Sequence, residues 1–139
     1  TNNGTIKTLK YQRYSMTKFN FFIGGYFGTN FHVKLEKDEL HFYISVHHID
    51  FSYEKPRHII PIKDNLDWQK LVEFLKLQNW KREYKNDDIL DGTQWEILFV
   101  SEKSKLTSFG SNEYPVEFKK LIRLLRKITR NHYTPFDIY

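Results

Sequence analysis

GGYFGTNFHVKL occupies residues 24–35 and DGTQWEILFV residues 91–100. Both place Gly-Thr, an amide and a large aromatic at the start of a strand-like run: Gly28-Thr29-Asn30-Phe31 and, 64 positions later, Gly92-Thr93-Gln94-Trp95. In the first, Phe31, Val33 and Leu35 alternate with Asn30, His32 and Lys34. In the second, Trp95, Ile97 and Phe99 share one face. A period of two is the signature of a half-buried strand. Each run is followed by a turn and a second apolar run, LHFYISV at 40–46 and a strand at about 105–110. The charged segment 36–39 forms the first turn, and a Ser/Lys segment the second.

Each hairpin then leads to an amphipathic helix. The spacing predicts one over about 65–78, capped by Asp64, with Asp67 in its first turn and an apolar stripe of Trp68, Leu71, Val72, Leu75 and Trp80. It predicts a second over about 115–130, entered through Asn112 and Pro115, with Phe118, Leu121, Ile122, Leu125 and Ile128 inside. Pro56 and Pro61 exclude residues 47–63 from a central strand, leaving an extended piece near 57–60. A short extended segment is expected at 81–85, and one or two strands at 7–22, broken by Gly24-Gly25. The fold class is therefore α+β: an antiparallel sheet with both helices on one face. The chain reads as a single domain, 1–139. Its halves, about 20–80 and 81–130, are either degenerate ββα copies or two hairpins alike by chance.

Composition narrows the function. The chain has no Cys, which removes disulfides and thiolate metal sites and fits a reducing compartment. No apolar run reaches the roughly 18–20 residues of a membrane helix, and TNNGTIKTLK has no apolar signal core. Thr1 suits removal of an initiator Met, with a cleaved signal peptide as the competing explanation; the expected location is cytoplasmic. Aromatic residues make up 17% of the chain, so the core is expected to be rich in rings. The net charge of +5 is concentrated at residues 116–130, which carry six Lys or Arg and one Glu, favouring a partner of negative potential.

Catalytic and metal patterns fail one by one. His47-His48 with Asp50, and His32, His41 and His58, lack metal-ligand spacing, because adjacent strand residues face opposite ways. Asp87, Asp91 and Gly92 fit positions of a calcium loop, but Ile89 and Leu98 fall where ligands are required. Gly24-Gly25-x-x-Gly28 is not a phosphate loop, and Ser108-Phe109-Gly110-Ser111 is not a nucleophile elbow. No enzyme, metal or cofactor is expected. The positive signal is a stripe of Lys119, Arg123, Arg126 and Arg130 at steps of four, three and four, widened by Lys120 and Lys127. Tyr114 and Trp95, near Asp91, are the aromatic candidates for a protein interface. Lys10, Tyr11, Arg13, Tyr14, Lys18 and Phe19 interleave charge and rings in a way that suits stacking on bases.

The segments FFIGGYFGTNFHVKL and DGTQWEILF…SFGSNEYPVEFKKLIRLL resemble an uncharacterised small bacterial domain across most of residues 20–128. The matching positions are Gly24, Gly25, Tyr26 and Gly28; Asp91, Gly92, Gln94 and Trp95; and Gly110, Asn112, Tyr114 and Pro115. That resemblance implies a fold. In size, build and lack of a catalytic signature, the chain is also similar to immunity proteins of bacterial toxin–immunity systems, including those of contact-dependent growth inhibition. The similarity implies a non-enzymatic protein that neutralises a cognate toxin domain by occlusion. Its partner-binding residues would be Lys119, Arg123, Arg126, Lys127, Arg130, Tyr114 and Trp95. The alternative is a nucleic-acid-binding regulator that uses the basic last helix. No membrane partner is expected.

Overall fold

Among the described residues, the alternating runs form seven strands and the amphipathic segments form two helices. The computed structural model describes residues 17–25, 29–45, 55–88 and 92–129. The elements are β1 (Lys18–Gly25), β2 (Asn30–Glu36), β3 (Glu39–Ser45), β4 (His58–Pro61), α1 (Leu66–Lys76), β5 (Glu83–Lys85), β6 (Thr93–Ser101), β7 (Ser104–Ser111) and α2 (Phe118–Thr129). They build one sheet in the order β4-β3-β2-β1-β6-β7-β5. The fold is α+β, as expected, but the sheet is mixed. All its pairs are antiparallel except β5–β7, which is parallel.

Both helices cover the same face. Phe19 and Phe21 project to one side of β1, two residues apart. Phe19 meets Trp68 of α1 edge-on at 5.7 Å, and Phe21 meets Phe118 of α2 at 6.2 Å. The core is laid down in registered rows, such as Val33–Phe21–Ile97 and Phe31–Ile23–Trp95. Every member of those rows is buried. Burying each such side chain contributes about 1.5–3 kcal/mol, so these rows hold the helices on the sheet.

The repeated motifs lie at one level on either side of β1. Phe31 and Trp95 both pair with Ile23, on the helix-covered face. β2 and β6 therefore run in the same direction with the same face inward. Yet β3 returns on the side of β2 away from β1, and β7 on the opposite side of the sheet, beyond β6. With direction and buried face matched, the two hairpins are of opposite hand and do not superpose. The shared motif is a common solution to starting a strand beside β1, and the halves are not structural copies.

Three local expectations are corrected. Gly24 and Gly25 continue β1 instead of breaking it. At Gly24 a Cβ would collide with the Asn30 side chain, so the glycine permits close approach of β2. The cap of α1 is Asn65, whose Oδ1 accepts from the Trp68 amide at 3.0 Å, while Asp64 has φ 56°. Phe74, omitted from the predicted stripe, is buried with Trp68, Leu71 and Leu75. The stretch 7–17 predicted as strand lies mostly outside the described residues, as do Tyr26 and Gly28.

Candidate functional site

The entry to α2 is built by the second motif. Asn112, at φ 59°, turns the chain and donates its amide to the Thr93 carbonyl at 2.9 Å. The Trp95 indole nitrogen then donates to the Glu113 carbonyl at 2.9 Å. Tyr114 lies over Trp95 at 6.5 Å with planes 19° apart, and its ring is 4.9 Å from that of Phe118. Trp95 is 2% exposed, so its ring belongs to the core and is not itself a contact surface, contrary to its place among the candidates. What reaches solvent there is Tyr114, 38% exposed, and Val116, 96% exposed.

From that aromatic corner α2 runs with Phe118, Leu121, Ile122, Leu125 and Ile128 buried, as its stripe predicted. Lys119, Lys120, Arg123 and Lys127 are exposed, and Arg126 is half-buried. Arg130 lies outside the described residues. Lys119, Arg123 and Lys127, four residues apart, share one outer face. None of these four exposed cations makes an ion pair among the described residues. Lys120 lies 5.6 Å over the Phe74 ring of α1. The first turn of α2 has no acidic residue, and Lys119 and Lys120 sit there instead, at the positive end of the helix dipole. Such placement costs about 0.3–1 kcal/mol per charge. Helix stability therefore does not account for Lys119 and Lys120, whereas Lys127 lies in the last turn, where the dipole favours a cation.

Among the described residues no helix covers the opposite face of the sheet, which carries the polar alternates. One registered row runs Tyr43–His32–Phe22–Glu96–Phe109–Glu83 across β3, β2, β1, β6, β7 and β5. It crosses a concavity of about 580 Å³. His32 Nε2 is hydrogen-bonded to Asn20 Oδ1, and its ring lies 5.8 Å from Tyr43. Burial, reinforced by the nearby Lys34 charge, lowers the His32 pKa below its usual 6.5. In the neighbouring row, His41, paired with Lys34, stands 3.7 Å from carboxylate oxygens of both Glu36 and Glu39. Lys34 pairs with Glu36 at 2.9 Å, and this contact chiefly holds the Glu36 carboxyl below its ordinary range.

Phe22, Glu96 and Phe109 were missed as site residues. Part of their signal was available: Phe22 and Phe109 are apolar exceptions on their strands' outward faces, whereas Glu96 is an ordinary polar alternate. Combining them required the register of three strands. His47, His48, Asp50 and Asp91 lie outside the described residues, as do Lys10, Tyr11, Arg13 and Tyr14. His58 pairs with Phe42 and so sits away from His32 and His41, on the helix side. Among the described residues, no three His, Asp or Glu side chains group as a metal site. No described helix is long and apolar enough to cross a membrane.

No protein-family model matches the chain, and no curated protein or solved structure matches it.

Proposed function

We propose that the protein is a non-enzymatic binding protein whose contact surface is the outer face of α2, with Tyr114 and Val116 at its N-terminal end. In its most concrete form it is a bacterial immunity protein that docks on an acidic region of a toxin domain and covers or flanks the active site. The observation that carries the reading is the set Lys119, Lys120, Arg123 and Lys127: exposed, without ion pairs among the described residues, and partly placed against the helix dipole. Charges so arranged steer association and select partners of opposite potential. Tyr114, braced by Trp95 and Phe118, supplies a rigid ring beside them, the kind of anchor that interfaces favour. A toxin that acts on nucleic acid usually has a basic substrate groove, so contact beside the groove suits this charge better than plugging it.

The test is co-expression with the products of the reading frames that neighbour this protein's gene, among which this reading expects a toxin domain. Growth should be protected by the natural chain and lost with Lys119→Glu, Arg123→Glu and Lys127→Glu combined, while thermal unfolding stays unchanged. Full protection by the triple variant overturns the assignment of this face. A labelled single-stranded RNA distinguishes the nucleic-acid reading. RNA affinity that falls with salt at a slope of about −0.7 per phosphate contact, and is abolished by the triple variant, favours a nucleic-acid regulator.

A further inference from the structure

We propose that the concavity on the sheet face opposite α1 and α2 binds an organic cation, a guanidinium or alkylammonium group, with Glu96 as its counter-ion and Phe22 and Phe109 as flanking rings. The site is independent of the α2 surface and lies on the other side of the sheet.

The register supplies the geometry. Glu96 of β6 is paired directly with Phe22 of β1 on one side and Phe109 of β7 on the other. All three side chains leave the same face, because paired residues point the same way. Neighbouring strands are about 4.8 Å apart, so the two phenyl side chains stand roughly 10 Å apart with a carboxylate between them. That gap admits a flat guanidinium or a substituted ammonium within the roughly 6 Å at which a ring face attracts a cation. Phe109 is 40% exposed, unusual for a phenyl on a strand interior, and lines the concavity together with Phe22 and Glu96.

Charge selects the ligand's sign. Glu96 and Glu83 line the cavity, and neither makes an ion pair among the described residues. The one lysine in the lining, Lys85, is paired with Asp87 at 3.4 Å. His32, next to Phe22 in the row, is kept uncharged at neutral pH by its burial and adds no opposing charge. A chain of net charge +5 thus carries a local acidic, ring-lined hollow. Gln94, one level along β6, offers an amide to any hydrogen-bonding group carried by the ligand.

The experiment is an aromatic ¹H–¹³C NMR titration of the full chain with three probes: agmatine, a short glycine-flanked arginine peptide, and propylurea as a neutral control. Agmatine or the peptide should move the Phe22 and Phe109 ring resonances saturably, and propylurea should not. Glu96→Gln, at an exposed position that leaves the thermal midpoint unchanged, should weaken binding about tenfold. The α2 triple variant should leave it unaltered. Tighter binding of the peptide than of agmatine assigns the cation to a polypeptide side chain, and the reverse to a free small molecule. Absence of saturable shifts, or equal affinity in Glu96→Gln, overturns the proposal.

Discussion

The indole of Trp95 donates to the carbonyl of Glu113 at 2.9 Å, tying the middle of the sheet to the turn that starts α2. The bond is possible because residue 110, paired with Trp95, is glycine. A Cβ there would lie 2.6 Å from indole Cε2 and 2.7 Å from the Glu113 oxygen itself. Backbone and a packed ring cannot yield cheaply. Gly110→Ala should therefore lower stability by about 2–3 kcal/mol in urea unfolding. Trp95→Phe, which strands the Glu113 carbonyl and removes buried area, should cost about 2 kcal/mol. A Gly110→Ala variant as stable as the natural protein would show that the corner is loose.

The cap of α1 gives a sharper, local test. Asn65 accepts from the Trp68 amide and also donates its Nδ2 to the Pro61 carbonyl at 3.2 Å. Asn65→Ala should cost about 1 kcal/mol. Asp64→Asn, beside it, should be close to neutral, because Asp64 makes no capping bond and Asn tolerates its positive φ equally well. Equal losses at both positions would mean that the two residues share the cap.

These two sites mark what the sequence disclosed. Hairpins and helices were legible because alternation and the apolar stripe are short-range patterns, and all five residues read as the stripe of α2 are buried, with Leu124 and Thr129 buried beside them. The choice between Asp64 and Asn65 was not, since both are good caps and only the backbone conformation at 64 separates them. Strand β5 has three residues and no alternation to display, and its parallel pairing with β7 depends on contacts such as Phe109 N–H to the Arg82 carbonyl at 3.0 Å. Of the candidate surface, the exposed cations followed from helical spacing. The burial of Trp95 and the alignment of Phe22, Glu96 and Phe109 depended on partners dozens of residues away.

The β2–β3 connection stores a removable cost. Lys37 and Asp38 form a two-residue turn with φ 47° and 64°. Primed turns of this kind suit the twist of a hairpin but disfavour side chains, and a residue held there costs roughly 1–2 kcal/mol. Asp38→Gly should relieve that cost, offset in part by the greater freedom of glycine in the unfolded chain. The expected net gain is about 0.5 kcal/mol, read as a higher urea midpoint with an unchanged m-value. A loss would mean that the Asp38 side chain contributes more than its strain costs.

His32 ties stability to pH through the sheet face opposite α1 and α2. Its pKa in the folded protein lies below 6.5, first because it is buried and second because Lys34 is near. The unfolded chain therefore takes up a proton at a pH where the folded protein still refuses one. Stability is undiminished above about pH 6.5 and falls as pH drops from there toward the folded pKa, where the difference in bound protons closes. One proton limits this contribution to about 1.4 kcal/mol per pH unit. The Glu36 carboxyl, depressed mainly by Lys34, acts in the same direction only at lower pH, and its exposure makes its effect small. His32→Gln keeps an N–H donor near Asn20 Oδ1 but cannot take up a proton. Urea unfolding between pH 7.5 and 5 should therefore show a shallower decline in the variant than in the natural chain. Parallel declines would place the acid sensitivity elsewhere and leave His32 as packing alone.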